Sequence, residues 1–464
     1  MKMKKIIGDF KKLVLLAEKN EFYSDINFFS KGESRINLDK TNTEIGKDND
    51  AGVKIRIWDG EKYLEYAQSS LEFESLKEKM SELISQAKKN KKGNNENKDL
   101  LVSKEKLEKD YKSKLKISGE NISLEEKCEK LHSFKNKILK ISKEIVNARV
   151  VLIEEIEKNI FVNPYKALSQ EIPIVIMAIV AYVQSKDGNV RTVFKSFVDN
   201  DLNVFNKAKN QFEEFEKNIE NIKDAKKLKG GKYKVLLSPS LTGLLAHESF
   251  GHGMEADTMM RGRALASNWI GKRIGKSNVN IVDYPNVAGK HGEFYFDHEG
   301  NPARKTFLVK EGIINEPMSD LYSKTQLGLK HSSNSRFESF DHKHYTRMSN
   351  TFFEAGDENY KDLIAKVDDG IFIQSSSGGM EDPKGWGVQI QGNFGQRIKN
   401  GKLINEFYDG FALTGFLPDI VKNISGISKE FEIEGGGHCG KGHKEWVRVS
   451  EGGPYLLIDE VILG

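Results

Sequence analysis

The sequence predicts an α+β protein with two domains, and three observations support this fold class. The chain has 464 residues, a length that favours more than one domain. Helical repeats and strand patterns are mixed as far as Gly230-Gly231, whereas glycine is frequent and strand patterns dominate after that pair. We therefore expect an N-terminal domain of long helices and a mixed sheet over 1–230, and a C-terminal β-rich domain of antiparallel sheet over 231–464.

The composition is that of a soluble globular protein with a highly charged surface. Charged residues make up 30% of the chain and apolar residues 38%, and the formal net charge is only +4. This balance requires neither a nucleic-acid nor a membrane partner. The two cysteines, Cys128 and Cys439, exclude a disulfide framework and favour a reducing compartment.

Two apolar stretches could direct the chain to a membrane, and neither has the required form. The N-terminus starts like a signal peptide, but Asp9, Lys11 and Lys12 interrupt the apolar core that such a peptide needs. The run 172–183 is too short to span a bilayer and contains Pro173. We expect a cytoplasmic protein.

The spacing of apolar residues places helices and strands in the first half. Residues 9–20 carry apolar side chains at three- and four-residue steps, which predicts an amphipathic helix. Residues 53–58 alternate in strand fashion, and the turn pair Asp59-Gly60 separates them from a return strand at 63–67. Further helices are expected from residue 71 onward, at 124–140 and at 201–228, and further strands at 24–30, 147–156, 159–163, 172–183 and 190–197.

The Lys-rich charged segment 87–120 has the weakest structural pattern. Its run 88–95 contains no apolar residue that could be buried. Such a run could contact nucleic acid, but no aromatic residues interleave with the lysines, as stacking on bases would require. We therefore predict a solvated loop between two charged helices.

Strand patterns dominate the second half. One strong helical candidate, which contains residues 247–252, interrupts them. Strands are expected at 233–237, 279–282, 294–296, 305–309, 313–315, 371–374, 387–398, 403–416 and 455–462.

Residues 247–252, His-Glu-Ser-Phe-Gly-His, carry the donor atoms of a hydrolytic metal site. Imidazole nitrogens bind a borderline-soft cation, and the carboxylate of Glu248 can act as a base beside it. The familiar zinc-protease helix has its histidines four residues apart, whereas His247 and His252 are five apart. On a regular helix, at about 100° per residue, that spacing separates the two side chains by about 140°. We expect either a π-type widening of the helix or a helix end near Gly251 that bends His252 back.

A catalytic metal usually has three protein ligands, so a third ligand must come from elsewhere in the chain. Cys439 is the favoured candidate, because its flanking glycines let a thiolate approach a metal closely. It could instead be a nucleophile with His438 or His443 as base, but on a strand His438 would point away from Cys439. The other candidates are His291, His298, His331, His342, His344, His438, His443, Glu255 and Asp257.

These motifs resemble those of the TldD/PmbA family of metallopeptidases. Residues 247–257 are similar to the H-E-x-x-x-H region of that family, and Cys439-Gly440-Lys441-Gly442 is similar to its terminal cysteine motif. The resemblance covers most of the chain and weakens over 85–125. Further similar segments lie at 52–56, 296–300, 347–351, 377–379 and 398–402.

The resemblance implies a function and a set of residue roles. His247, His252 and Cys439 would bind one divalent metal per active subunit, which we expect to be Zn²⁺, and Glu248 would be the catalytic base. The family implies an α/β N-terminal domain, a strongly curved β-rich C-terminal domain, and a dimer that encloses the metal sites in a cavity. The dimer partner would be a second copy or a metal-free relative, and the substrates would be unfolded or flexible peptides. We expect a metalloprotease; a peptide-capturing partner subunit or scaffold without hydrolytic activity is the alternative.

Four other residues are candidates for contact with the substrate or for support of the ligands. Arg347 could donate a hydrogen bond to a developing oxyanion. Glu255 and Asp257 could orient the histidines, or could instead pair with the arginines that follow them. His443 departs from the usual sequence of the family, and it could face the substrate or be an ordinary surface residue.

Overall fold

The computed structural model describes residues 2–91, 100–113, 115, 122–330, 332–442 and 444–464. It confirms the α+β class, with two large sheets and one small two-stranded sheet. The strands of the first large sheet come from residues 24–199, and those of the second from residues 226–463. The domain boundary expected at residue 230 stays a prediction, and it lies near the point where the chain passes from the first sheet to the second.

The first sheet is mixed, and its strands follow the order β3-β2-β1-β5-β6-β4, with β7 also paired to β6. Its strands are β1 (Ser24–Leu38), β2 (Thr43–Trp58), β3 (Tyr63–Gln68), β4 (Leu107–Lys112), β5 (Ile145–Val162), β6 (Lys166–Gln184) and β7 (Val190–Asp199). The helices of this half are α1 (Lys2–Glu18), α2 (Phe73–Lys91), α3 (Leu124–Ile141), α4 (Val204–Asn210) and α5 (Phe212–Ile222).

Strand β4 corrects the expectation of a loop between the helices at 87–120. It pairs in parallel with the start of β6, and its Leu107 and Tyr111 pack in a cluster with Phe161 and Phe296. Charged residues flank both apolar side chains, so the sequence pattern there is faint. Residues 92–99, 114 and 116–121 of the Lys-rich segment lie outside the described residues.

The two faces of the first sheet have different neighbours. Alternate residues of β1 and β5 pack beneath helices α1, α2 and α3. The opposite face contacts the second half of the chain: the side chains of Asn27 and Gln170 donate to the carbonyls of His298 and Phe296, each at 3.0 Å. Side chains alternate along a strand, so Glu155 on β5 shares this second face with Asn27.

The second sheet carries the order β12-β11-β10-β15-β21-β9-β16-β17-β18-β8, with β19 paired to β17 and β21, and β20 paired to β21. Its strands are β8 (Lys226–Lys227), β9 (Gly231–Leu237), β10 (Ile281–Asp283), β11 (Thr306–Lys310), β12 (Ile313–Ile314), β15 (Asn350–Phe353), β16 (Asp369–Asp382), β17 (Gly387–Lys399), β18 (Lys402–Asp409), β19 (Phe411–Phe416), β20 (Ile424–Lys441) and β21 (Lys444–Leu463). The small sheet pairs β13 (Ser335–Arg336) with β14 (Tyr345–Thr346).

The helices of the second half are short. They are α6 (Pro239–Ala246), α7 (Ala256–Met260), α8 (Leu321–Leu327), α9 (Tyr360–Ala365) and α10 (Leu417–Lys422), with 3₁₀ turns at His252–Met254 and Leu265–Trp269. Helix α6 lies across β21, and the approach is close: a Cβ atom on Gly243 would overlap the backbone of Gly452. This packing fixes the residues that follow α6 against the sheet.

Several predicted elements differ from the structure. The helix expected at 201–228 is divided into α4 and α5 near Gln211. The strand expected at 403–416 is divided at Gly410, whose φ of 61° only glycine adopts readily. Residues 294–296 make only an isolated bridge, from Phe296 to Pro302, and the long strand β20 has no counterpart among the predictions. In the second sheet most pairings are antiparallel, as expected. Three pairs there are parallel: β9 with β16, β15 with β21, and β8 with β18.

In the part of the chain that the structure describes, no helix combines the length and the apolar character needed to cross a membrane.

Candidate metal centre

The helix that carries the two histidines is widened where they lie. Helix α6 begins with Pro239 in its first turn and continues directly into a π-type turn at His247–Gly251. The backbone N–H of His252 donates to the carbonyl of His247, which is the i to i+5 bond of such a turn. Of the two predicted geometries, the structure has the widened helix. The extra residue in the turn brings side chains five apart to the same side.

Gly251 makes this turn compatible with its surroundings. The side chain of Met348 lies directly against it, and a Cβ atom at this position would overlap the Met348 sulfur. The glycine is therefore needed for the close approach of a neighbouring side chain, since its own φ of −61° is ordinary helical backbone.

The structure brings His247, His252 and Cys439 together. One ligand atom from each lies within 4.8 Å of the other two, and Cys439 Sγ is 3.2 Å from His252 Nε2. Tetrahedral zinc with ordinary bond lengths would set such atoms about 3.3–3.6 Å apart. The two imidazole rings are nearly perpendicular, at 89°, so both can point at one position without stacking. The residues present therefore fit a divalent metal.

Carboxylates lie behind both histidines. Glu255 Oε2 is 3.7 Å from His252 Nδ1, and Glu451 Oε2 is 3.9 Å from His247 Nδ1. His247 Nδ1 is buried and has no hydrogen-bond partner among the described residues. A carboxylate near the second ring nitrogen is the usual means of fixing the tautomer of a ligating histidine. No motif in the sequence pointed to Glu451, which comes from β21.

Arg347 orients the cysteine. Its guanidinium is buried and donates to Cys439 Sγ at 3.0 Å, to the Cys439 carbonyl at 2.9 Å, and to Glu255 at 3.2 Å. It also donates to the carbonyl of Glu445. These contacts direct the guanidinium of Arg347 at Cys439, Glu255 and Glu445, which corrects the expectation that it could face a developing oxyanion.

Glu255 and Asp257 pair with Lys441 and not with the arginines that follow them in the sequence. Lys441 Nζ lies 3.1 Å from Glu255 and 2.6 Å from Asp257. Burial would raise the pKa of Glu255, but Lys441, His252 and Arg347 outweigh burial and lower that pKa to about 2. Lys441 is two residues from Cys439, so this contact ties the cysteine strand to the histidine turn. His443 lies outside the described residues.

The ligand groups perturb the protonation of one another. Burial raises the pKa of the Cys439 thiol, but the two imidazoles outweigh burial and hold that pKa well below its usual range. Burial lowers the pKa of His247, but the neighbouring thiolate outweighs it and raises that pKa to about 9. The thiol and the imidazoles therefore favour one another's charged forms, and a bound divalent cation would take the place of the imidazolium protons.

Glu248 lies at an open cavity of about 470 Å³ beside the three ligand residues. A second carboxyl group, Glu381 on β16, lines the same cavity. Neither of its oxygens has a hydrogen-bond partner among the described residues, and burial raises its pKa well above the usual range. Sequence reasoning missed Glu381, because a single acidic residue on a strand carries no motif. The cavity is also lined by Thr258, Gly379, Met380, Pro383, His438, Gly440, Lys441, Gly442 and Trp446.

The remaining ligand candidates lie elsewhere. His298 stacks on Phe337 with ring centroids 3.7 Å apart, and His344 packs edge-on against the same ring. His342 pairs with Glu445 at 3.1 Å. His331 is outside the described residues. His291 and His438 lie together in a separate cluster.

Two histidines, a cysteine and an adjacent glutamate at an open cavity are the groups of a metal-dependent hydrolase. A family model described as the PmbA/TldA metallopeptidase C-terminal domain matches residues 230–464. A metalloprotease of Methanocaldococcus jannaschii is 30% identical over 393 residues, which cover 81% of this chain and 83% of that relative. The chain therefore belongs to the TldD/PmbA family of metallopeptidases.

Other comparisons agree with this assignment. A zinc metalloprotease TldD homolog of Saccharolobus solfataricus is 31% identical over 237 residues, which are 51% of this chain and 52% of that protein. The solved structure of TldE from Thermococcus kodakarensis aligns with 98% of this chain and 100% of its own, with a TM-score of 0.76. A solved Thermotoga maritima protein aligns with 98% of each chain at a TM-score of 0.77. At 16% and 17% identity, these two structures show the fold alone.

Proposed function

We propose that this chain is a metallopeptidase in which His247, His252 and Cys439 hold one divalent metal, expected to be Zn²⁺. Glu248 is the catalytic base. The observation that carries the proposal is the convergence of three ligand atoms, within 4.8 Å of one another, beside Glu248 at an open cavity. The names of the relatives, metalloprotease and zinc metalloprotease, support the same function at family level.

A divalent metal in this site would supply a Lewis acid, which polarises the scissile carbonyl and makes water more acidic. Glu248 accepts the proton of the attacking water and passes it to the leaving amine. Its place on the π-type turn, between the two histidines, keeps its carboxylate at the mouth of the site. Arg347 and Glu255 hold Cys439 and His252 in position, so they act through the ligands and not on the substrate.

The substrates we propose are unfolded or flexible peptides. An open cavity lined by residues of two glycine-containing stretches, within 379–383 and 438–442, suits an extended main chain, which has few side-chain requirements. We further propose that the site works within a dimer, formed with a second copy or with a metal-free relative. The fold-level similarity to TldE is compatible with a pairing of two such subunits.

The base assignment is tested by Glu248→Gln. Gln keeps the size of the side chain but cannot accept a proton, so peptide cleavage should fall by about 10²–10⁴-fold while metal content stays at the wild-type level. Cleavage of an unfolded casein-type substrate and elemental analysis measure the two quantities. Glu129→Gln, on the exposed surface of α3, is the matched control and should retain full activity. Cleavage near the wild-type rate in Glu248→Gln would show that another group is the base.

Two alternatives predict different responses to inhibitors. A cysteine hydrolase that uses Cys439 would keep its activity in the presence of a chelator and would not need added zinc. A metallopeptidase loses activity with chelator and regains it with zinc. A non-hydrolytic scaffold would retain peptide binding in the Glu248→Gln protein and show no cleavage in the zinc-loaded wild type.

A further inference from the structure

A second group of metal-ligand side chains lies outside the proposed active site. Glu155 on β5, His291 in the segment after β10, and His438 on β20 each offer a ligand atom within 4.8 Å of the other two. The ring centroids of His291 and His438 are 4.8 Å apart, and the two ring planes are nearly perpendicular, at 85°. Glu155 belongs to the first sheet, and the histidines belong to the second half of the chain. The cluster therefore spans the contact between the two.

Two buried acceptor atoms of this cluster make no hydrogen bond within the described residues. His291 is fully buried, and its Nδ1 lies 2.7 Å from the carbonyl of Gly437. A ring nitrogen that donates to a carbonyl must carry the proton, so His291 Nε2 has a free lone pair. That nitrogen and Glu155 Oε2 have no hydrogen-bond partner among the described residues. Buried polar atoms normally have a partner. An imidazole nitrogen and a carboxylate oxygen are both acceptors, and together they are donor atoms that a divalent cation binds.

The arrangement also has an orienting contact and an access route. Fixing Nδ1 of His291 on a backbone carbonyl is the way in which many metal-binding histidines are held. His438 is exposed, so an ion can reach the cluster from solvent. Since side chains alternate along β20, His438 faces away from its neighbour Cys439, and the two clusters do not share a ligand.

The nearby charges determine how an ion could enter. Lys31 Nζ lies 3.5 Å from Glu155 Oε2, and Arg448 pairs with Glu157 at 3.0 Å. Glu157 neutralises the charge of Arg448, although Arg448 Nε and Nη1 have no hydrogen-bond partner among the described residues. Lys31 is the cation that a metal would have to displace. The Lys31 side chain is 29% exposed, and its flexible stem can move the ammonium into solvent.

We propose that Glu155, His291 and His438 form a second divalent-metal site, which joins the first sheet to strand β20. Two imidazoles and one carboxylate suit Zn²⁺, Mn²⁺, Fe²⁺ or Co²⁺. An ion here would fix the residue that precedes Cys439 and would stabilise the contact between the two halves of the chain. The proposal rests on residues other than the three active-site ligands, so it stands or falls separately from the peptidase function.

Equilibrium dialysis of the full-length protein against Co²⁺ tests the proposal. The wild type should bind two equivalents per chain. Only the equivalent at Cys439 should give a sulfur-to-metal charge-transfer band, because the second cluster has no thiolate. Glu155→Gln should lower the affinity for the second Co²⁺ equivalent by more than about tenfold and leave the charge-transfer band unchanged. Glu171→Gln, on the same sheet and paired with Lys158 at 3.1 Å, is the matched control and should bind as the wild type does.

A gain-of-affinity variant keeps the test decisive if Glu155→Gln folds poorly. Lys31→Met retains all three ligands and removes the competing ammonium, so the second equivalent should bind more tightly. Lys158→Met is its control and should leave the affinity unchanged. A single Co²⁺ equivalent in the saturated wild type would overturn the proposal. So would a second equivalent with the same affinity in wild type, Glu155→Gln and Lys31→Met, since that pattern describes an adventitious ion only.

Discussion

The clusters at Cys439 and His438 begin from adjacent residues of one strand and differ in almost every other respect. The Cys439 cluster takes two ligands from a single π-type turn, contains a thiolate, and has Glu248 beside it at the cavity. The His438 cluster takes one ligand from each of three distant segments, and two of these ligands are buried between the halves of the chain. Only the first has a base and open space for a substrate. The alternation of side chains along β20 is what separates a reactive site from a structural one.

The largest effect is expected from a substitution that removes a ligand of the Cys439 cluster and leaves the His438 cluster intact. Cys439→Ser replaces a strong zinc ligand with a weak one and leaves the buried guanidinium of Arg347 without its sulfur partner. Zinc at this site and peptide cleavage should both be lost, with activity reduced by more than about 10²-fold. Elemental analysis and a cleavage assay measure the two effects. A zinc content in Cys439→Ser equal to that of the wild type, measured side by side, would remove Cys439 from the ligand set.

The surroundings of the second cluster should govern stability in acid. Burial raises the pKa of Glu157, but Arg448 and His298 outweigh burial and hold that pKa well below its usual range. A lowered carboxyl pKa gives stability that is fully present above the unfolded-state pKa of about 4.3 and is lost as the pH falls below that value. Glu157→Gln leaves Arg448 without its counter-charge and should cost about 3 kcal/mol at neutral pH.

Urea unfolding between pH 7 and pH 3.5 checks this prediction. The free energy of unfolding should fall less steeply below pH 5 in Glu157→Gln than in the wild type, since the variant has lost the group that titrates. Glu171→Gln, whose ion pair with Lys158 is partly exposed, should follow the wild-type curve. Parallel curves for wild type and Glu157→Gln would show that the pair with Arg448 contributes no acid sensitivity.

A smaller effect should follow from the carboxylate behind the active-site histidine. Glu451→Gln retains the shape of the side chain but removes the charge that lies 3.9 Å from His247 Nδ1. Loss of such an outer partner typically weakens metal binding by about 10–100-fold. Competition with a chromophoric chelator measures the zinc affinity. Unchanged affinity would mean that Glu451 does not orient His247.

The smallest expected effect concerns the turn itself. Gly251→Ala adds a Cβ atom where the Met348 sulfur now lies, and Met348 must move within a packed core. We expect a loss of stability of about 1–3 kcal/mol and reduced zinc affinity, because the turn that aligns the histidines is displaced. Gly8→Ala, on α1 with no atom in contact, is the control and should be neutral or stabilising. A wild-type melting temperature and zinc affinity in Gly251→Ala would contradict the role given to this glycine.

Sequence patterns predicted those features of the site that depend on residues close together in the chain. The five-residue spacing of His247 and His252 predicted either a widened turn or a helix end near Gly251, and the structure has the widened turn. The glycines around Cys439 indicated a ligand with room to approach. The sequence could not predict Glu451, Glu381 or Lys441, because each reaches the site from a strand whose own pattern is ordinary. Strand β20 was missed for a related reason: its residues 432–441 mix glycine and charge, and pairing with β21 supplies the order that the pattern lacks. Of the two readings offered for Glu255, the structure has the contact with His252 and not the pairing with the following arginines, and Lys441 is an additional partner.

The ligand environment of zinc tests the central claim most directly. X-ray absorption spectroscopy at the zinc edge, on protein loaded with one equivalent, reports which atoms surround the ion. We predict one sulfur at about 2.3 Å together with nitrogen or oxygen at about 2.0–2.1 Å, and loss of the sulfur signal in Cys439→Ser. A zinc ion surrounded only by nitrogen and oxygen in the wild-type protein would contradict the assignment of His247, His252 and Cys439 as the metal centre.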